Sequence, residues 1–185
     1  MFVGSPLPTN VNMLLRLSRM TEQFGFKPDE IGYWSEIKLD IVKEYAAAYA
    51  QILNAPKQQK HNLRPVYIDA FSGAGVHISK DTHEFIPGSP LNAMNVDPPF
   101  HEFYFIDLDQ DKSEYLRQAV SNRADVHILQ GDCNAILLND VFPNVKYEDY
   151  KRGLCLLDPY GLHLDWKVME AAGKSKSIEI GRAHV

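Results

Sequence analysis

The sequence predicts an α/β fold, an open and mostly parallel sheet with helices on both faces, and three observations carry that prediction. From Val66 onward, short strand-like apolar runs alternate with stretches of helical periodicity. A long amphipathic segment and a polar linker precede the first run. The 185 residues suffice for one domain with a substantial core.

The elements follow in order. Met1 to about Lys27 carries little signal; a short helix around Val11 to Gln23 and leader sequence read through from upstream are both open. From Trp34 to Leu53, Ile37, Ile41, Tyr45, Ala48 and Ile52 recur every three or four residues, which predicts an amphipathic helix. Asp29 and Ser35 are candidate N-caps, and Asn54-Ala55-Pro56 is a stop. KQQKHNLRP is a polar linker, with Pro65 excluding helix at its end. VYIDAF (66–71) is the first strand, and VHISKDTHEFIPG is expected as a long loop. Ser89 then caps a helix with Pro90 at its first position. FYFIDL (103–108), VHILQ (126–130), LCLLD (154–158) and the start of a fifth strand in SIEI (177–180) complete the sheet, separated by helices over QDKSEYLRQAVSNR, NAILLNDVF and DWKVMEAAGK. The expected organisation is a helical extension and linker over 1–64 and a Rossmann-like domain over 65–180.

Composition narrows the function classes. Hydrophobic residues make up 45% and charged residues 23%, values for a globular chain rather than a disordered one. No apolar run reaches the roughly twenty residues that cross a bilayer, and the N-terminus lacks a secretory pattern, so a cytoplasmic location without membrane attachment is expected. The net charge of -5 argues against a general nucleic-acid binder but leaves room for an enzyme with a local patch. Cys133 and Cys155 are too few and too far apart for a disulfide framework or a zinc site, and buried thiols are expected. The closing IGRAHV is the translation of a widely used sequencing-adapter stretch. Residues 180–185 are therefore expected to be a non-native tail on a chain that naturally continues.

In parallel sheets, ligands gather at the carboxyl ends of the strands. After the first strand comes Asp69-Ala70-Phe71-Ser72-Gly73-Ala74-Gly75, whose glycines allow either close approach of a ligand or a structural turn. After the second comes Asp107-Leu108-Asp109. Asp107 can accept from both hydroxyls of a ribose, whereas Asp109 and Asp111 fit a helix N-terminus. Gly131-Asp132 follows the third strand; Asp132 can accept from an adenine amine or cap the next helix. Asp158-Pro159-Tyr160-Gly161 follows the fourth, where good turn chemistry is the competing explanation.

The order of these features resembles the class I S-adenosylmethionine-dependent methyltransferases. That resemblance implies S-adenosylmethionine as cofactor, with Asp69, Gly73 and Gly75 along its methionyl part, Asp107 at the ribose and Asp132 at the adenine. A nicotinamide-dinucleotide enzyme shares only the first two features. More closely, DEIGYWSEIKLDIVKEYAAAYAQIL, YIDAFSGAGVH, GSPLNAM, FYFIDLDQDK, GDCN and LCLLDPYGLHLDW together look like the three-Cys-motif partner protein family, from about Asp29 to Glu179. Membership would imply a protein bearing a three-cysteine motif as partner.

Asp158, Pro159 and Tyr160 have the chemistry for methyl transfer to nitrogen. A carboxylate orients an amine, proline stiffens the backbone and frees carbonyls, and an aromatic ring stacks on a planar base, worth roughly 1–3 kcal/mol. The run is similar to the (Asp/Asn)-Pro-Pro-(Tyr/Phe) of amino-directed nucleic-acid methyltransferases, with one proline fewer. It is nearer in shape to the Asp-Pro-Phe-Gly of tRNA guanine-N2 methyltransferases. An exocyclic amine on a nucleic-acid base is the expected acceptor, and a non-catalytic subunit that binds the three-Cys-motif protein is the alternative. His77 and His163 are expected at the surface rather than as proton acceptors, Trp34 and Trp166 in the core, and the basic residues Lys57, Lys60, His61 and Arg64 in a solvated linker.

Overall fold

The computed structural model describes residues 19, 21, 25–56, 61–121, 123–159 and 164–181. Five strands form one parallel sheet: β2 (Arg64–Asp69), β5 (Glu102–Asp107), β6 (Val126–Gln130), β7 (Lys151–Leu156) and β8 (Ile178–Gly181). Their spatial order is β6-β5-β2-β7-β8. The chain builds outward from β2 through β5 to β6, then returns across to β7 and continues to β8. The direction of winding reverses between β2 and β7, a layout compatible with a Rossmann-like fold. All five expected strands are present, displaced by at most three residues at either end.

Side chains alternate across this sheet because successive residues of a strand face opposite ways. Tyr67, Phe103, Phe105 and Leu154 point to one face and pack beneath α1 (Tyr33–Asn54), α2 (Ser89–Met94) and α3 (Gln110–Val120). Val66, Ile68, Tyr104, Ile106 and Cys155 point to the other, covered by α4 (Cys133–Ile136) and α5 (Trp166–Ser175). Helix α4 runs on as a π turn (Leu137–Val141) and a 3-10 turn (Phe142–Asn144) where a single helix is expected from NAILLNDVF. Cys133 and Cys155 are buried free thiols, and burial raises the pKa of both.

Helix α1 matches its expected span, but the expected core face is wrong. Ile41, Tyr45 and Ile52 are 59%, 45% and 64% exposed, while Ala46 and Ala50 are fully buried. The small alanines let α1 lie close over β2, and the larger apolar stripe is left facing outward. Trp34 and Trp166, expected in the core, are likewise 66% and 76% exposed at the first turns of α1 and α5. Neither Asp29 nor Ser35 caps α1; the N-cap is Gly32, which makes no side-chain bond. Gly88 similarly takes the N-cap of α2, with Ser89 already inside the helix. Of the expected helix over 11–23, only Arg19 and Thr21 are described, both helical. Lys57 and Lys60 of the basic linker lie outside the described residues.

The segment expected as a long loop holds a second, small sheet. Strands β3 (Val76–Ser79) and β4 (Phe85–Pro87) pair antiparallel, and β1 (Asp29–Ile31) adds to β3 in parallel, Asp29 opposite His77 and Ile31 opposite Ser79. Arms this short show no readable alternation, and the polar turn between them masks the hairpin further. The segment over 29–54 is thus bound to the rest both by α1 and by β1. Among the described residues no helix is long and apolar enough to cross a membrane.

Gly75 and Gly88 meet backbone to backbone, the Gly88 N–H donating to the Gly75 carbonyl at 2.7 Å. A Cβ on Gly88 would lie 2.9 Å from the Gly75 carbonyl carbon, which cannot yield as a flexible side chain could. Gly88→Ala should therefore cost about 1–3 kcal/mol and lower the melting temperature by several degrees. Gly173→Ala, at an exposed α5 position where a Cβ meets nothing within 4 Å, should gain about 0.5–1 kcal/mol. Thermal melts followed by circular dichroism check both signs.

Candidate functional site

A cavity of about 470 Å³ opens at the carboxyl ends of β2, β5 and β7, where the winding reverses. Its size falls in the range of small-molecule sites. Asp69, Gly73, Asp107, Asp132, Asp158 and Pro159 all line it, so residues up to 90 positions apart in sequence share one wall. Gly75 does not line it. Its φ of +76° continues the turn, but a Cβ there would strike Leu116 at 2.7 Å, so its smallness serves the packing of α3. Tyr160 and His163 lie outside the described residues.

Asp69 ends the central strand and is 1% exposed. One carboxylate oxygen accepts from the Phe71 N–H at 3.2 Å; the other has no hydrogen-bond partner among the described residues. Burial pushes its pKa up to about 6; the Ser89 hydroxyl and the Phe71 N–H pull the other way, and the nearby charges of Asp107 and Asp158 add to the rise. The Gly loop that follows is pinned to the end of β5. Ser72 bonds the Ile106 carbonyl through both its N–H (2.9 Å) and its hydroxyl (3.2 Å). Gly73, at φ +60°, donates its N–H to Asp107 at 2.8 Å. The other Asp107 oxygen accepts from the Asp109 N–H at 2.9 Å. Asp107 therefore holds the loop in shape while lining the cavity.

The neighbouring acids divide as helix physics requires. Asp109 caps α3 through the N–H groups of Asp111 and Lys112. Asp132 caps α4, accepting from the N–H and the side-chain amide of Asn134, and lines the cavity as well. Capping and ligand contact are thus not exclusive at Asp132. His77, expected at the surface, is a cavity-wall residue. Burial lowers its pKa, and its Nδ1 has no partner among the described residues.

Asp158 is met from above by a residue that sequence reasoning missed. Lys38 Nζ lies 2.9 Å from one Asp158 oxygen and 2.7 Å from the other. Ser35, Lys38, Leu39 and Val42 form the stripe of α1 that lines the cavity. That stripe has helical spacing too, but its polar start made it less conspicuous than the Ile-Tyr-Ile stripe. The second cavity lysine, Lys112, pairs with Asp29 at 2.5 Å. Among the described residues, five aspartates therefore face two lysines, and each lysine is already matched to a carboxylate. The charge left over is negative, on Asp69, Asp107 and Asp132. Among the described residues no group of three or more His, Cys, Asp or Glu side chains is placed to hold a metal ion.

No protein-family model and no curated protein matches the chain. Among solved structures the fold is similar to protein LPL1258 from Legionella pneumophila str. Philadelphia 1, described by the family model DUF519. The TM-score is 0.52 at 17% identity, over 78% of this chain and 67% of that one. At that identity the likeness is one of fold.

Asp69 makes stability depend on pH with a definite sign. Its folded pKa is raised, so the folded state keeps a proton that the unfolded chain releases, and stability falls as pH rises from near the ordinary carboxylate value through about 6. Asp69→Asn removes this cost. Relative to wild type, the variant should gain about 3 kcal/mol of unfolding free energy between about pH 4 and pH 7. Urea titrations of both proteins across that range measure the difference.

Proposed function

We propose that this protein is an S-adenosylmethionine-dependent methyltransferase of the three-Cys-motif partner kind, acting on an exocyclic amine of a nucleic-acid base. The observation that carries the proposal is the charge of the cavity at the sheet's reversal point. A sulfonium is a cation, and an excess of aspartates favours it. A dinucleotide brings a pyrophosphate, and here both cavity lysines are committed to carboxylates. The residues present fit the cofactor in kind. Asp69, with its unpartnered oxygen, and Gly73 would hold the methionyl part, Asp107 the ribose and Asp132 the adenine. Gly75 supports the loop from behind.

When bound, the cofactor would supply an electrophilic methyl group on a sulfonium, with a neutral thioether as the leaving group. Asp158 accepts a hydrogen bond from the amine, turns the nitrogen lone pair toward the methyl, and takes the proton that nitrogen releases. Pro159 stiffens the chain beside it and leaves its carbonyl free to accept a second N–H. Holding the nucleophile in line supplies most of the acceleration. A base in a duplex has to be flipped out to reach Asp158. A second reading, a non-catalytic subunit that binds the three-Cys-motif protein, has its support in the outward apolar stripe of α1, Trp34, Ile41, Tyr45 and Ile52.

Calorimetry of the full-length protein with S-adenosylmethionine separates the two. Absence of binding by folded protein removes the methyltransferase. Given binding, Asp107→Ala should weaken affinity by roughly tenfold or more, because it strips the loop of its anchor as well as the ribose contact. Asp158→Ala should leave the affinity nearly unchanged and abolish transfer. Equal loss of binding in the two variants would place the cofactor elsewhere.

A further inference from the structure

Resting on the proposed function, we infer that Lys38 is a specificity-determining residue of the acceptor site. Together with Asp158, it selects a base whose Watson–Crick edge sets an exocyclic amine next to an unprotonated ring nitrogen. The two side chains form one unit on the cavity wall, an ammonium within 2.7–2.9 Å of both oxygens of a carboxylate. The carboxylate can only accept hydrogen bonds and the ammonium can only donate them. Side by side, they present an acceptor next to a donor, the pattern by which a side-chain amide reads a base edge.

The complementary edge carries a donor next to an acceptor. Adenine has it in its amine and adjacent N1, and cytosine in its amine and adjacent N3. The Watson–Crick edge of guanine does not, because a protonated N1 stands beside its amine and would meet the Lys38 ammonium donor to donor; guanine pairs its amine with an acceptor, N3, only on the edge that the N9-linked sugar crowds. Uracil has no exocyclic amine. The ammonium has three protons, so one can stay on Asp158 while another turns to the ring nitrogen, and one Asp158 oxygen is released for the amine. The pair therefore need not break for the base to enter, and no buried charge is stranded.

Lys38 is well placed to hold this geometry. Its helix is fixed by Ala46 and Ala50 in the core, by Glu36 accepting from the Ser79 hydroxyl at 2.7 Å, and by β1 on β3. The lysine side chain is 26% exposed and its partner 39%, so the pair is open to the cavity but screened from bulk water on most sides.

The test is methyl transfer by the full-length protein to single-stranded oligonucleotides whose one amino-bearing base is adenine, cytosine or guanine, with 1-deazaadenine and 3-deazacytosine as probes of the ring nitrogen. Transfer to adenine or cytosine is expected, with kcat/KM falling roughly ten- to hundredfold when the ring nitrogen is replaced by carbon. Lys38→Met should cost the same factor on the natural base and nothing further on the deaza base, while calorimetry shows S-adenosylmethionine affinity unchanged. A merely structural lysine would lower both substrates alike. Transfer confined to guanine, to none of the three, or indifferent to the ring nitrogen overturns the assignment of Lys38. Loss of cofactor binding in the wild type instead overturns the methyltransferase proposal beneath it.

Discussion

Strand β2 has to be dry on both faces and hydrogen-bonded along both edges, and the remainder of the molecule is arranged around that requirement. It lies between β5 and β7, and Val66, Tyr67 and Ile68 have no exposed surface. A parallel neighbour on each side forces long crossovers, and these have to cover both faces because neither can meet water. The crossovers leave from the carboxyl ends of the strands and diverge at the reversal of winding. A cavity at that place is a product of topology before it is a product of chemistry. Asp69 is the last residue of β2, which is why a carboxylate ends up buried with one oxygen unpartnered among the described residues.

The second layer of organisation is the accessory structure over the cavity. Helix α1 and β1 precede the main sheet, and β3 and β4 are carried by the crossover from β2 to β5; together they contribute Asp29, Ile31, Ser35, Lys38 and His77 to the wall. The main sheet provides most of the acids, and this cover provides one lysine; α3 provides the other. The balance of charge, negative but locally neutralised, is set by how the cover sits on the strand ends.

Much of the sheet was legible because strands buried on both faces read as continuous apolar runs, and β6 was placed to the residue. The carboxylates at the strand ends were legible for the same reason, since each directly follows such a run. The hairpin of β3 and β4 was not, because four- and three-residue arms carry no periodicity. The face of α1 was misread because burial followed the size of Ala46 and Ala50 rather than the hydrophobicity of Ile41 and Ile52. Trp34 and Trp166 went wrong by the same logic, large apolar surface being taken for core. Lys38 was invisible for a different reason. A lysine on a helix looks solvated until the residue 120 positions later that it meets is known. Gly75 had the right type for a ligand loop, and only the position of Leu116 reveals that its missing Cβ faces a helix.

A single residue, Gly32, separates β1 from α1, and its carbonyl already accepts the first bonds of the helix from Ser35 and Glu36. There is no slack between the strand that anchors this segment and the lysine seven residues beyond Ile31. Each residue of an α-helix turns about 100°. An insertion or deletion of one residue between Ile31 and Lys38 would swing the ammonium off Asp158 and bring a different side chain over the cavity. Length in this stretch is therefore as constrained as composition, and chains of this fold that differ in length should accommodate the difference elsewhere.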